Sequence, residues 1–562
     1  MKSEKAKEII RRRDDLAKEK RLFTQHWEDL ARVMLPRAMG FQGEPIEGES
    51  RTEQIFDGTP MQACRSLGHH MGFWLRPDSS EWYFIKAADE GLRQQEQAKI
   101  WLDDTKKRLD GALNNPKARF RQSTGEVDLF LVVFGTGILF IGEGVDMSHL
   151  LFQSIHLKDC VLVYNEDGNL DGLILTKKMT VRQAYARWGE KLSEELLKLY
   201  RENKLDVRKD FIRAVMPRTE KFFEAPKLAR NLPIADIWIE VDEEHIIEEG
   251  GFHELPFVAP RWDTTSGEDY GRSPGMIALP DANTLQAMGE TILVSGQRAA
   301  DPPLMAPNDG AFNELATFPG AVSYYDVEIA RELGGNPIFS MESGVNLPIT
   351  RDMQLDTREQ VMRAFFKNVL NLPVDGPQMT ATEVLQRKEE FIREIGPVFG
   401  RFETDYTAPM IQRAFMIMLR AGSFAPIPPI LQGQGITFEF ESPVNKVKQQ
   451  IRAAAAKQWV AEQLELGQMI PTAIDHINVD GYSKVTHDAD GVPNEVKNTE
   501  ETIMQIRQQR AEQEKMEQDM LRLERSTEVA AGMANTADTL GITQEIREKA
   551  KANNPVPTKK AS

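Results

Sequence analysis

Two stretches with helical periodicity bracket a run that cannot be helical, and this arrangement constrains the fold more than any other feature of the 562-residue chain. The first starts near Pro280-Asp281, with proline in a helix's first turn where its missing N–H is not needed, and runs about twenty residues to Asp301-Pro302-Pro303. At ~1.5 Å per residue such a helix is roughly 30 Å long. The second is capped by Thr350, carries Leu355, Met362, Phe365, Phe366 and Val369 on its apolar side, and is closed by Pro373. Residues 301–349 between them are rich in Pro and Gly. A segment of roughly 50 residues is marginal as a core of its own, so it must draw stability from neighbours. The pattern predicts a stalk of two helices with a small irregular head.

The flanking regions predict an α+β chain rich in helix. Residues 3–35 read as one helix, with Leu16, Phe23, Trp27, Leu30 and Met34 on its apolar side and Pro36 ending it. Met61–Leu75, 95–113 and 117–133 read as helices too. From Phe140 to Leu175 alternating segments flank Asn165-Glu166-Asp167-Gly168-Asn169, a hairpin signal. A helical insert at 180–203 precedes strands near 207–216 and 234–260. Beyond the stalk, Thr380-Ala381-Thr382-Glu383 has the spacing of a capping box. It opens a helical run to about Ala421 that Gly396-Pro397 and Pro409 should kink. A strand at Ile436–Phe440 follows, and from Val444 the chain is mostly helical, with a polar segment at 498–528 and a tail predicted to be disordered at 553–562.

Charge and motif content narrow the function. The formal net charge is −17, the reverse of what a protein gripping duplex DNA from outside needs. Cys64 and Cys160 are too few and too far apart for a disulfide framework, which fits a reducing cytoplasm. No apolar run approaches the ~18–20 residues of a membrane helix, and the charged start lacks the core of a signal peptide. There is no Gly-x4-Gly-Lys-Ser/Thr loop. Gly135-Thr136-Gly137 lacks the third glycine of a dinucleotide fingerprint. His245, Glu248, Glu249 and His253 lie in a strand-like segment without zinc-site spacing. Around Asp488-Ala489-Asp490-Gly491, a calcium loop would place Lys497 where its last carboxylate belongs. These residues imply no enzyme, no metal and no cofactor.

The order of short motifs resembles that of the head-to-tail connecting, or portal, proteins of short-tailed bacteriophages. The motifs are Trp27 with Met34-Leu35-Pro36-Arg37, Ile55-Phe56-Asp57-Gly58, Phe73-Trp74-Leu75-Arg76-Pro77 and Tyr270-Gly271-Arg272-Ser273-Pro274. Ala278-Leu279-Pro280-Asp281, Met379-Thr380-Ala381-Thr382-Glu383-Val384, Gly396-Pro397-Val398 and Gly491-Val492-Pro493 continue the series. The expected run of small residues around Leu67–Phe73 is here Gly68-His69-His70-Met71-Gly72.

The resemblance implies a ring subunit, dodecameric in the family, at the head–tail junction of a virion and made in the host cytoplasm. Its divisions would be a wing (1–277), a first stem helix (278–300), a clip (301–349), a second stem helix (350–370) and a tunnel loop (371–379). A kinked wing helix with a strand (380–443), a crown and barrel (444–530) and a tail (531–562) would complete it. It implies partners: other copies of the chain, capsid and scaffold proteins, the terminase large subunit, tail adaptor or nozzle proteins, and the double-stranded DNA that passes through. Another head–tail joining protein or an internal ejection protein is the alternative.

The charges fit a conduit. Duplex DNA carries about one negative charge per ~1.7 Å of axis, so an acidic wall pushes it toward the ring axis over the ~8 Å screening length. Residues 301–349 hold seven acids, Asp301, Asp309, Glu314, Asp326, Glu328, Glu332 and Glu342, against one base, Arg331. Such acids line a passage, dock a partner, solvate a loop or pair with a neighbour. Arg351, Arg358, Arg363 and Lys367 on the second helix are candidates for sliding phosphate contacts, or for a solvated or salt-bridged face. The loop holding Pro373, Asp375 and Gly376 either projects into the bore or merely joins two helices.

Overall fold

The structure is a computed structural model. It describes residues 3–43, 48, 50–77, 81–93, 95–144, 148–218, 229–307, 318–325, 339–340, 347–367, 393, 396–397, 399–440, 443–470, 475–490, 498 and 500–539. The chain forms two compact units, Met1–Ile451 and Arg452–Ser562. The fold is helix-rich α+β.

The predicted helix over 3–35 is two helices, α1 (Glu4–Glu19) and α2 (Arg21–Met34), separated at Lys20. Periodicity could not show the break, because its cause lies in residues far along the chain. The Lys20 ammonium is buried, donates to the carbonyls of Leu157 and of Cys160 (2.7 Å), and lies 5.6 Å from the Trp27 ring centroid. Burial lowers its pKa. Three further helices, α3 (Thr59–Leu75), α4 (Glu96–Leu113) and α5 (Phe120–Phe134), follow the predicted positions. With α2 they form the centre of the main core around Trp27, Leu30, Met34, Leu67, Met71 and Phe134.

The strand-rich region makes two sheets. A three-stranded sheet has the order β3-β2-β9, from β2 (Leu139–Glu143), β3 (Leu150–Ser154) and β9 (Phe257–Val258). The larger is an antiparallel meander, β4 (Cys160–Tyr164), β5 (Leu170–Thr180), β6 (Arg208–Pro217), β7 (Ile234–Glu240) and β8 (His245–Phe252). The β4–β5 hairpin turns where Asn165 accepts from the Asn169 backbone N–H at 2.8 Å and Gly168 takes a φ of 74°. One face of the meander packs Ile174, Ile212, Ile237 and Ile239 with Ala6 and Ile9 of α1. The other packs Phe211 and Trp238 against α6 (Val181–Trp188) and α7 (Glu194–Arg201). Helix α6 starts from a capping box between Thr180 and Gln183.

Two long helices follow, α8 (Pro274–Ala300) and α9 (Leu347–Ala364), and they pack against each other. Both begin earlier than predicted. Helix α8 starts at Pro274 because Ser273 caps it, its Oγ accepting from the Met276 backbone N–H at 3.0 Å, and Pro280 lies inside the helix. Thr350 falls within α9 and does not cap it. The predicted apolar side of α9 is also displaced. Phe365 is buried as predicted, but Gln354 and Val361 are buried with it while Leu355 is 48% exposed; Val369 lies outside the described residues.

Between these helices, β10 (Leu304–Pro307), β11 (Val322–Tyr325) and β12 (Phe339–Ser340) make a small mixed sheet, β11-β10-β12. Further on, α10 (Ala408–Arg420) is preceded by one π-turn at Glu403–Thr407. Pro409 cannot donate its backbone bond, and a single wide turn absorbs the mismatch where a kink was predicted. Strand β13 (Ile436–Phe440) pairs antiparallel with β1 (Tyr83–Ala87), 355 residues away at Phe84–Glu439 in register. Further helices are α11 (Pro443–Met469), α12 (Val479–Asp490) and α13 (Glu500–Thr539). Among the described residues no helix is long and apolar enough to cross a membrane, and no group of three His, Cys, Asp or Glu could hold a metal.

Candidate functional site

The helix pair is fastened to the rest of its unit at one carboxylate. Asp57 follows a loop and precedes α3, where its Oδ1 accepts from the Thr59 backbone N–H at 2.9 Å. Its Oδ2 accepts from Arg358 Nε of α9 at 2.8 Å and from Gln354 Nε2 at 3.3 Å. Gln286 of α8 completes the joint: its Oε1 accepts from the N–H groups of Phe56 (2.8 Å) and Asp57 (3.0 Å), and its Nε2 donates to the Asp57 carbonyl at 2.8 Å. One buried residue therefore ties α3, α8 and α9 together. Burial pushes the Asp57 carboxyl up, but the bonds from Thr59 and the Arg358 guanidinium outweigh it and hold the pKa below the usual carboxylate value.

The base of α8 is set by Tyr270-Gly271-Arg272-Ser273-Pro274, and each residue has a physical task. Tyr270 packs edge-on against Trp27, ring centroids 5.1 Å apart. Gly271 passes Gly135, the C-cap of α5, so closely that a Cβ on it would lie 2.3 Å from the Gly135 carbonyl oxygen. Arg272 pairs with Glu268. Ser273 caps α8 and donates to the Val133 carbonyl at 2.7 Å, and Pro274 occupies the first turn. The motif docks the start of α8 onto the end of α5.

Behind this joint, α3 and α5 share a buried charge pair, Arg76 with Asp128. The Arg76 guanidinium stacks 5.1 Å from the Tyr406 ring centroid, in the π-turn before α10, and Tyr406 donates to the Thr124 carbonyl at 3.3 Å. Burial raises the Asp128 pKa to about 6, against the opposing pull of Arg76.

The sequence matches the family described as "Bacteriophage head to tail connecting protein" over residues 6–497. The chain belongs to that family. It is 26% identical over 544 residues to the portal protein of Salmonella phage epsilon15, covering 95% of each chain. It is 25% identical over 547 residues to the probable portal protein of Bordetella phage BPP-1, covering 96% of this chain and 97% of that one. Among solved structures, a chain of the virion of a native gene transfer agent particle aligns with 81% of this chain and 98% of its own, at 11% identity and a TM-score of 0.33.

In this connector the sequence candidates fall in different settings. Arg358 is engaged by Asp57. Arg363 is exposed and bonded to Glu359 at 2.6 Å, one turn back on α9. Arg351 is exposed and Lys367 partly so. Pro373, Asp375 and Gly376 lie outside the described residues, as do the acids Asp309, Glu314, Asp326, Glu328, Glu332 and Glu342 and the Thr380–Glu383 capping box. The strand residues weighed for zinc have separate partners: His245 Nε2 lies 3.1 Å from the Lys191 carbonyl, Glu248 accepts from Trp188 Nε1 at 3.1 Å, and Glu249 pairs with Lys5 and Arg218. Sequence reasoning missed the joint. Ile55-Phe56-Asp57-Gly58 stood out as a motif, but its partner Arg358 is 301 positions away.

Proposed function

We propose that this connector is a portal subunit. Identical copies close into a ring at one capsid vertex, double-stranded DNA passes through the ring during packaging and ejection, and the ring docks the terminase large subunit and later the tail adaptor. In this reading the wing is residues 1–277, and α8 and α9 form the stem beside the clip at 301–349. The loop at 371–379 reaches the bore, residues 380–443 return to the wing, and the crown and barrel lie within 444–530. The role is structural, with no catalytic step.

The observation that carries the reading is the two-sided apolar surface of α9. Gln354 is buried toward the rest of the chain, while Met353 (52% exposed) and Leu355 (48%) leave water on neither flank fully displaced. Successive helical residues are about 100° apart, so these two side chains sit on opposite flanks of Gln354. A ring of identical subunits uses a heterologous contact and needs two different adhesive faces on every copy. Leu293 and Val294 add exposed apolar surface on α8.

The charge arrangement suits passage of DNA. The acids of the clip repel phosphate and keep the duplex near the axis, while Arg351 and Arg363 of α9 and Lys367 just beyond it, none of them engaged by Asp57, offer weak phosphate contacts that do not hold it. Arg358 acts through the joint. Electron microscopy of the purified chain, averaged down the particle axis, tests the proposal. Closed rings with a duplex-wide hole are expected; a monomer at every concentration and salt would refute it, leaving a head–tail joining or internal ejection protein.

A further inference from the structure

We propose that a basic cleft between the two sheets of the N-terminal unit binds a carboxylate-rich, extended polypeptide segment of another protein. The cleft has a volume of 1960 Å³ and lies between the β3-β2-β9 sheet and the meander, with α6 and α10 at its sides. Ten lysines and arginines line it against two acids, Glu143 and Asp159, in a chain whose net charge is −17. Its positive charge is therefore a local construction and does not reflect composition.

Five of these cations define the cleft's charge. Arg213 is neutralised by Asp236 at 2.7 Å, and Arg413 and Arg420 share Glu254. Lys177 and Arg187 have no carboxylate within 4 Å among the described residues. Both are partly buried, and they face Arg213 and each other. Burial first, then this like-charge crowding, lowers the pKa of each. Two half-buried cations crowded by a third, with no carboxylate in direct contact and only the more distant Glu248 and Asp236 opposing the crowding at Arg187, are an arrangement that an anion relieves.

Size and ring geometry select the anion. Small-molecule sites run to about 300–1,000 Å³, so this cleft is large enough for a polymer segment. A duplex is stiff over roughly 50 nm and cannot bend its phosphates into a recess to reach Lys177. Single-stranded nucleic acid binds by stacking bases on free aromatic faces. The aromatic rings here are already engaged: Arg187 lies 4.2 Å from the Trp238 ring centroid, Arg213 lies 5.1 Å from that of Phe140, Arg413 lies 5.7 Å from that of Phe252, and Phe41 packs on Trp27, Phe134 and His156. The rings orient all three arginines; Arg213 and Arg413 already bond Asp236 and Glu254, and Arg187 keeps its N–H groups for a carboxylate. A flexible acidic segment can follow the recess.

The cleft lies within a single chain, so the proposal stands whether or not rings form. Fluorescence anisotropy of a labelled poly-glutamate peptide titrated with the full-length protein tests it, with oligo-thymidylate as competitor and assembled and dissociated protein measured separately. Saturable binding that weakens with salt is expected in both states. Lys177→Gln should lose about tenfold in affinity, and Lys177→Gln with Arg187→Gln more, while thermal unfolding of the Lys177→Gln protein is unchanged. Absence of binding, or unaltered affinity in Lys177→Gln, overturns the proposal. Displacement by oligo-thymidylate at lower concentration than unlabelled peptide would assign the cleft to nucleic acid. Binding by dissociated chains only would assign it to a neighbouring copy.

Discussion

Asp57 and Asp128 are both buried and both held by an arginine, yet their titrations run in opposite directions. At Asp57 the partners prevail and the folded pKa is lowered. Its contribution to stability is present above the ordinary carboxylate value and is lost as pH falls through the folded one. Asp57→Asn should cost about 2 kcal/mol at pH 7, the scale of hydrogen bonds to a charged group, and the deficit should shrink in acid. Urea unfolding of both proteins at pH 7 and below pH ~4 measures it. At Asp128 burial prevails and the folded pKa rises to about 6. Its titration contributes stability that is complete below the ordinary carboxylate value and lost as pH rises through about 6. The stability gap between wild type and Asp128→Asn should therefore narrow between pH ~4 and ~7, where a surface salt bridge would widen it. A gap that widens would show that Arg76 outweighs burial.

Helix α8 sets propensity against close packing within one element. Alanine is favoured over glycine in a helix interior by about 1 kcal/mol. Nothing lies within 4 Å of a Cβ added at Gly296, so Gly296→Ala should stabilise the protein by about that amount. At Gly289 the same Cβ would stand 2.9 Å from Phe56 Cβ, on the loop that Gln286 fastens. Phe56 cannot retreat without stretching those bonds, so Gly289→Ala should destabilise it despite the propensity gain; differential scanning fluorimetry of the pair decides the sign. The same contrast explains what the sequence made legible. Patterns local to an element, such as the Asn165–Asn169 turn, the helical insert at 180–203 and the strand at Ile234–Glu240, appear where expected. Two of the misplaced features depend on distant partners. Lys20 divides a continuous amphipathic pattern because its amine finds the carbonyls of Leu157 and Cys160. Gln354 and Arg358 turn inward against Asp57, and Leu355 is left outside. The helix pair was readable from proline placement and periodicity; its joint was not, because no local spacing connects residue 57 to residues 286 and 358.

For the whole molecule, the exposed side chains on opposite flanks of α9 make assembly and folding separable. Met353 and Leu355 are each about half exposed, so Leu355→Glu should cost the monomer no more than about 1 kcal/mol in thermal unfolding. In a ring the same residue recurs in every interface, and burying the exposed half of that leucine is worth about 1 kcal/mol each time. Replacing it with a glutamate removes that gain and adds an unpaired charge to a desolvated contact. Because closure requires every interface at once, a modest penalty per contact multiplies into loss of the ring. Met353→Glu should have the same effect from the other flank. Mixing the two variants should not restore rings, since a copy defective on either side interrupts the circle. Mass photometry of each variant and of the mixture reads this directly. Rings that persist in Leu355→Glu and Met353→Glu alike would mean that α9 contributes no adhesive face, and the copies would have to meet through other surfaces.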